Sequence, residues 1–273
     1  MTFTVRVMKP TTLRFPEIHR VTALAGLALM AAAVMLGPRL AHAQAAPLTD
    51  RIVGDVGGAV YSAQSIIRSK GNDTTVLPYV FFDYGRFFAR VDTLGIKTVP
   101  IGYGYLELAA RVSQEGWRAN TIALAGLTDR KTPVPLGIGT FQLTPYGAFS
   151  VNAFIDANKS HGALLEATYA AEFKAGRVSF YPQLGFEHRS AKYNNYLYGV
   201  TAAESLASGY AAYNAGASTA PVLGLAVDVP VTQSWLVNLQ WRRKWMDGSV
   251  TNSPLVNRKT LDTAYVALSY RFK

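Results

Sequence analysis

His188 and Ser190 stand two residues apart in the stretch EHRS, where the chain has its best opportunity for catalysis. Residues two apart in a β-strand share a face, so the imidazole could accept the hydroxyl proton of Ser190. Such a nucleophile also needs a third group to orient the base. Glu187 points to the other face, and Glu204 lies in a segment without strand periodicity. The sequence therefore predicts a protein without catalytic activity, with an esterase as an alternative.

Other reactive side chains are too few to build a cofactor site. Cysteine is absent, and of the four histidines only His161 and His188 lie outside the N-terminal segment, which argues against a metal centre. The glycines of DVGGAVYSAQS are not followed by a helical pattern, so a phosphate-binding loop is not indicated. We expect neither a metal nor a cofactor.

The segments that carry the charged residues alternate between apolar and polar side chains. In WLVNLQWRRKW, one face holds Trp235, Leu239 and Trp241, and the other holds Asn238 and Gln240. Such segments run about ten to twelve residues, longer than the usual strand of about five or six, and this combination is typical of membrane barrels. A mean hydropathy of +0.11 is too low for a bundle of membrane helices. The pattern predicts an all-β fold, a transmembrane antiparallel β-barrel.

Alternation predicts ten strands, and an even number returns the C-terminus to the end of the barrel where the chain began. The predicted strands are 55–67, 74–84, 86–95, 98–112, 141–155, 163–174, 178–189, 221–230, 235–245 and 263–272. A further strand pair hidden within 117–140 would raise the count to twelve. The long connection 190–220 is predicted to be an extracellular loop.

The first 43 residues resemble a secretory signal peptide. A basic stretch precedes the apolar run VTALAGLALMAAAVMLG, and small residues at Ala41 and Ala43 form a cleavage site. We therefore predict two parts, a signal peptide over 1–43 and an outer-membrane barrel over 44–273. The same reading places the mature protein in the outer membrane of a Gram-negative bacterium.

The net charge of +10 attracts phosphates and anionic lipids. The basic residues are scattered singly through alternating segments, so nucleic acid is not an expected partner. Arg243 falls on the apolar face near Trp245, where it could reach a lipopolysaccharide phosphate or extend to the lipid headgroups. Outer-membrane lipid and lipopolysaccharide are therefore expected partners.

Charged residues on the polar faces are expected to line the barrel lumen. They could form an anion-selective pore, but a narrow barrel leaves an interior that side chains can fill, and both signs of charge are present. An ion-paired plug is the favoured interpretation. The predicted network comprises Glu166, Glu172, Glu187, Arg189, Arg242 and Arg271.

Several stretches resemble the MipA/OmpV family of outer-membrane proteins, also called the MltA-interacting protein family. They are VLPYVFFDYGRFFAR, YGVTAAESLASGYAAYNAGAS, NSPLV and the closing YRF, and the resemblance covers nearly all of 52–272. It implies an outer-membrane barrel, and a scaffold that links a lytic transglycosylase to a peptidoglycan (murein) synthase. Porin-like members imply a small-solute or ion channel as an alternative. The second alternative is a membrane-embedded esterase acting on lipid A, because EHRS resembles the His-x-Ser pair of lipid A deacylases.

The segment 113–139 falls at the periplasmic end if the strand count is ten, and long periplasmic connections are unusual. An aromatic residue beside an arginine is typical of interface hot spots. The segment is therefore a candidate surface for a cell-wall enzyme, with a lumenal plug or a hidden strand pair as alternatives. Its candidate contact residues are Trp117, Arg118, Leu124, Leu127, Asp129 and Arg130.

The C-terminal run TAYVALSYRFK is expected to be the closing strand, with an apolar stripe toward lipid. Its terminal aromatics, Tyr270 and Phe272, are similar to the recognition signal of the outer-membrane assembly machinery. The departure is Lys273, which displaces Phe272 from the last position.

Overall fold

The computed structural model describes residues 45–272, which form one antiparallel β-barrel. The predicted signal peptide over 1–43 lies outside the described residues. Thirteen strands are present in this part of the chain: β1 (Val53–Ala63), β2 (Asp73–Tyr84), β3 (Phe87–Arg90), β4 (Thr93–Ile101), β5 (Gly104–Arg111), β6 (Pro135–Thr144), β7 (Gly147–Asp156), β8 (Ala163–Ala170), β9 (Phe173–Ala175), β10 (Val178–Arg189), β11 (Ser218–Pro230), β12 (Trp235–Trp245) and β13 (Thr260–Phe272).

The barrel is closed and has twelve positions around its wall. Each strand pairs with its neighbour, β13 pairs with β1, and β8 and β9 both pair with β10 as two parts of one position. Closure satisfies the backbone groups of every strand, which a membrane interior requires. Among residues 45–272, no helix has the length and apolar character to cross a membrane.

Twelve strands replace the expected ten, in agreement with the alternative count. The predicted strands 86–95 and 98–112 are in fact β3, β4 and β5, and the predicted strand 141–155 is the pair β6 and β7. Tight turns separate them, with Val91 at φ +56° and Gly102 at φ +54°. Val91 is β-branched and rarely adopts a positive φ, so the sequence carries no turn signal there. Of the range 117–140, where the alternative had placed a hidden strand pair, only 135–140 lie in a strand, the first part of β6.

All the long connections between strands lie at one end of the barrel. Gly54 pairs with Phe272, so the first and last strands meet at the end of the termini, where the turns are two to four residues long. The opposite end carries the connections 64–72, 112–134, 157–162, 190–217 and 246–259, and also the short turn 91–92. Bacterial barrels have short periplasmic turns and longer extracellular loops, which makes the termini end periplasmic and the long-loop end extracellular.

Three helices and one 3-10 turn lie in the extracellular loops. They are α1 (Ala191–Tyr198), α2 (Ala202–Ser208), α3 (Gly248–Thr251) and the 3-10 turn Ile122–Leu124. Ser190 caps α1 by accepting the backbone N–H of Tyr193, and Thr201 and Glu204 form a capping box at the start of α2. These caps fix the loops as folded elements over the barrel mouth.

Candidate functional site

The extracellular loops pack into a lid with its own hydrophobic core at the end of the barrel. Leu124, Leu197, Val250 and Leu255 come from three different loops, and each is fully buried. Ile66 and Ile67 join them from the loop after β1. Burying such side chains contributes about 1.5–3 kcal/mol each, so the lid is a folded layer and not a set of independent loops.

The segment 112–134 lies in this lid, which corrects its expected periplasmic position. Ten strands would have placed it at the end opposite 190–217, whereas Trp117 Nε1 donates to the carbonyl of Leu197 in α1 at 3.0 Å. Trp117 and Arg130 also form an antiparallel bridge within the segment. The expected position was wrong because the predicted number of preceding strands was wrong. The turns at 91–92 and 102–103, which the alternation did not reveal, add one strand before the segment and place the segment at the opposite end of the barrel.

Three of the six candidate contact residues are buried in the lid core, namely Trp117, Leu124 and Arg130. Leu127 packs against the same core, and the carboxylate of Asp129 accepts the backbone N–H of Ala119 at 2.7 Å. These contacts hold the segment together. A partner could reach only the exposed side chains, Arg118 and Asp129 among them.

A buried ion pair joins the segment to α2. Arg130 Nη1 lies 2.9 Å from Glu204 Oε1, and Arg130 Nη2 lies 3.1 Å from Glu204 Oε2, so the guanidinium binds the carboxylate at both oxygens. The backbone N–H groups of Thr201 and Thr128 donate to the same carboxylate. Burial alone would raise the pKa of Glu204, but these hydrogen bonds lower it to about 2.

Beneath the lid, six charged side chains form a balanced network across the lumen. Lys244 Nζ lies 2.7 Å from both oxygens of Glu187, and Arg189 Nε lies 2.6 Å from Glu187 Oε1. Arg189 also pairs with Glu115, and Arg111 pairs with Glu166. Three basic groups therefore meet three acidic groups, which is how buried charges are compensated at low dielectric.

Two tyrosines of the lid helix α1 contact this charged network. Tyr193 of α1 donates its hydroxyl hydrogen to Glu115 Oε2 at 3.0 Å, and Arg189 Nη1 lies 3.3 Å from the Tyr198 hydroxyl. Burial would raise the pKa of Glu115, but the charges of Arg189 and Lys244 lower it, so the carboxylate stays ionised. The lid is thus fixed to the charged layer below it.

The predicted lumen residues have four different surroundings. Glu166, Glu187 and Arg189 belong to the central network. Arg271 lies near the periplasmic end, where its guanidinium binds Asp55 at 2.7 Å through Nε and Nη2. Glu172 is exposed at the periplasmic rim and lies 3.4 Å from Lys174. Arg242 faces a cavity beneath the lid.

Two acidic residues of these ion pairs, Glu115 and Glu204, were not predicted from the sequence. Both lie in the extracellular loops, where no periodicity indicates which side chains turn inward. In contrast, Glu187 and Arg189 were found because alternate residues of β10 share a face. A capping-box pattern, Thr201 followed three residues later by Glu204, was the only local signal available for Glu204.

His188 and Ser190 have other partners. His188 Nδ1 lies 2.8 Å from the hydroxyl of Thr219 on β11, and Ser190 Oγ accepts the backbone N–H of Ala163 at 2.9 Å besides capping α1. Both contacts are those of a strand end and a helix cap. They give no support to the esterase alternative.

The outer wall carries the apolar stripe expected of the closing strand. Val266, Leu268, Tyr270 and Phe272 are exposed on one face of β13, and Ala267 and Ser269 are buried on the other. The rings of Tyr270 and Phe272 lie 5.1 Å apart. Arg243 also lies on this outer face, where it pairs with Asp262 at 2.8 Å.

Two adjacent cavities occupy the space that the side chains leave free. The larger, about 580 Å³, lies between the lid and the barrel wall and is bordered by the loops 64–72 and 112–120. The smaller, about 190 Å³, lies deeper in the lumen. Val91, Asp92, Gln240 and Arg242 line both.

These features define a class: a twelve-stranded outer-membrane β-barrel with an ion-paired lumen and a folded extracellular lid. The chain belongs to the family of the MltA-interacting protein MipA, whose model matches residues 56–272. This confirms the resemblance to the MipA/OmpV family and the location in the outer membrane.

Named relatives agree with this membership. The putative outer membrane protein YiaT of Escherichia coli K12 is 24% identical over 219 residues, 79% of this chain and 89% of its own length. The MltA-interacting protein of the same strain is 27% identical over 147 residues, 54% of this chain and 59% of its own. The solved structure of OmpT of Vibrio cholerae aligns with 83% of this chain and all of its own at a TM-score of 0.34 and 9% identity, which carries no functional argument.

Proposed function

We propose that this protein is a non-enzymatic outer-membrane scaffold that holds a cell-wall enzyme, such as a lytic transglycosylase, at the inner face of the membrane. The observation that carries the proposal is the similarity over 147 residues to a protein named for its interaction with MltA. A second protein, a murein synthase, would complete the scaffold that the family resemblance implies. The charge-compensated lumen and the packed lid support a role that does not depend on transport.

The periplasmic end is the surface that such a partner would meet. Residues 45–52 cross this rim: the carbonyl of Thr49 accepts the N–H of Gly85 at 2.7 Å, and the carbonyl of Ala46 accepts the Tyr105 hydroxyl at 2.7 Å. Leu48 and Ile52 of this segment are exposed. An ordered strip with exposed apolar side chains offers a surface for a protein contact.

A photo-crosslinking experiment tests the proposal and the choice of surface together. A photoreactive amino acid is placed at Leu48 or at Gln233, in the periplasmic turn 231–234, and the captured proteins from intact envelopes are identified. The matched control carries the same group at Ile122, which is 97% exposed at the extracellular end. We expect capture of a lytic transglycosylase from the periplasmic positions only. Equal capture from Ile122, or none from any position, would contradict the proposal.

The second candidate function is a small-solute channel, and the adjoining cavities favour it. Together they extend from the lid into the lumen and share four lining residues. Planar-bilayer recording of the purified barrel separates the two functions. Discrete conductance steps would support a channel, and a closed barrel that still captures its partner would support the scaffold.

A further inference from the structure

Arg242 lies at the junction of the two cavities, a position that the scaffold role does not explain. It lines both the larger cavity under the lid and the smaller one in the lumen. It belongs to β12, where alternation turns Arg242 inward and Arg243 outward. A molecule that enters beneath the lid would meet the guanidinium of Arg242 before it reached the lower lumen.

Arg242 lacks the compensation that its neighbours have. Lys244, the next inward residue of β12, binds both oxygens of Glu187. Among residues 45–272, Arg242 forms no ion pair and no hydrogen bond, although it is partly buried. A half-buried guanidinium retains five N–H donors in a planar fork that matches a carboxylate or a phosphate.

The wall around Arg242 is shaped for a ligand. The stem of Arg242 lies over Gly224 of β11, where a Cβ atom would come within 2.9 Å of Arg242 Cγ. One inward position lower, Gln240 pairs with Tyr265, and Tyr265 pairs with Tyr61. The rings of Tyr61 and Tyr265 lie 5.1 Å apart, and both line the larger cavity. The guanidinium, an amide and two aromatic rings thus face one space.

The charges that remain free at this cavity favour an anion. Arg111, Lys244, Glu115 and Glu187 line it too, but they compensate one another in the central network. Apart from that network, the charged lining residues are Lys70, Arg118 and Arg242 against Asp73 and Asp92. Three basic groups against two acidic ones leave the cavity with an excess of one positive charge.

We infer that the larger cavity binds a small organic anion, whose carboxylate or phosphate is held by Arg242 and whose ring-sized body lies against Tyr61 and Tyr265. A volume of about 580 Å³ is within the range of small-molecule sites and holds a body the size of a monosaccharide. The ligand enters from the extracellular end, between the loops 64–72 and 112–120. This site is separate from the periplasmic surface of the proposed scaffold.

Titration calorimetry on the purified barrel in detergent tests the inference with three probes built on the same size of sugar ring. Glucuronate carries a carboxylate, glucose 6-phosphate carries a phosphate, and glucose is the uncharged control. We expect both anions to bind and glucose to bind at least about tenfold more weakly, because a charge-assisted bidentate contact is lost. The stronger anion identifies the group that the site prefers.

Two neighbouring substitutions form a matched pair for the same measurement. Arg242→Gln should weaken anion binding at least about tenfold, and Arg242→Lys should restore part of it, since the charge remains but the fork does not. Arg243→Gln, on the lipid face, should leave binding unchanged. Heat-dependent gel mobility verifies that each variant folds. Equal binding of glucose and the anions, no binding by any probe, or undiminished binding by a folded Arg242→Gln barrel would each overturn the inference.

Discussion

Arg130 and Glu204, 74 residues apart in sequence, join two extracellular loops through a buried two-pronged ion pair. Close by, Gly126 approaches α2 so nearly that a Cβ atom there would lie 2.5 Å from the carbonyl carbon of Ala207. The loop 112–134 and the helix α2 are therefore in tight contact at this point.

Replacing Arg130 with Met should loosen the lid and leave the barrel folded. The change leaves the buried carboxylate of Glu204 without its charge partner, which costs about 3–5 kcal/mol. Limited proteolysis of the intact barrel should then cut within 112–134 and 190–217 much faster than in the unmodified protein. Heat-dependent gel mobility should remain.

The control is Glu172→Gln, which removes an exposed pair with Lys174 at the periplasmic rim. Such surface pairs contribute about 0–1 kcal/mol, so the proteolysis pattern should not change. Unchanged cleavage in the Arg130→Met variant would show that the ion pair does not hold the lid.

Lid stability should fall in acid because of Glu204. Its pKa is about 2 in the folded lid and about 4.3 in an unfolded chain. A carboxylate whose pKa is lowered by folding contributes stability above its unfolded pKa and loses that contribution as pH falls through its folded pKa. The stabilising effect should therefore be complete above about pH 5, largely lost at about pH 2 and absent near pH 1.

Hydrogen exchange of lid amides, compared between the unmodified protein and Glu204→Gln, measures this contribution. The unmodified lid should be better protected at pH 6, and most of the difference should be lost at pH 2. Subtracting the variant removes the effects of other carboxylates, Glu115 among them. A constant difference down to pH 2 would show that the carboxylate is not held as described.

The sequence was sufficient to predict the long strands, because the alternation of apolar and polar residues indicated which side chains lie on each face. In β10, β12 and β13, eleven or more residues alternate, which assigns Glu187 and Arg189 to the inward face and the stripe that ends at Phe272 to the outward face. It was insufficient at β3, which has only four residues and is followed by Val91 in a positive-φ turn. Together with the turn at 102–103, this turn adds one strand and thereby moves the segment 112–134 to the other end of the barrel.

The site was harder to predict because most of its long-range contacts join loops. Trp117 and Arg130 were recognised as residues of interest, but their types indicate equally a protein interface and a buried aromatic–cation contact. The structure shows the latter, with the guanidinium 5.4 Å from the Trp117 ring. No pattern in one sequence tells which loop Arg130 will meet.

Replacing residues 116–132 with a short Gly/Ser linker should leave the barrel folded and its periplasmic partner bound. The pairing of β5 with β6, from Gly104↔Gln142 to Ala110↔Leu136, is untouched, and barrel closure depends on this ladder. The lid should become protease-sensitive because it loses Trp117 and Leu124. This outcome reverses the expectation that followed from a periplasmic position.

Envelope crosslinking from Leu48 measures partner capture by the linker variant. A control variant with the same linker in place of 157–162, a shorter extracellular loop, should behave like the unmodified protein in capture. If the 116–132 variant folds but captures nothing, then the segment contributes to partner binding despite its position at the extracellular end.

Phe272 should matter for assembly more than Lys273 does. Phe272 pairs with Gly54 at the seam where β13 meets β1, and its ring continues an aromatic row through Tyr270 to Trp235, with ring separations of 5.1 and 5.6 Å. Phe272→Ser removes the end of the lipid-facing stripe and should lower the heat-modifiable fraction in the outer membrane. Deleting Lys273 should preserve that fraction, since the chain then ends on the aromatic.

Phe173→Ser is the matched control, because it removes an aromatic that is 61% exposed from a strand other than the closing one. An effect of Phe272→Ser no larger than that of Phe173→Ser would mean that general loss of lipid-facing area, and not recognition of the C-terminal strand, limits assembly.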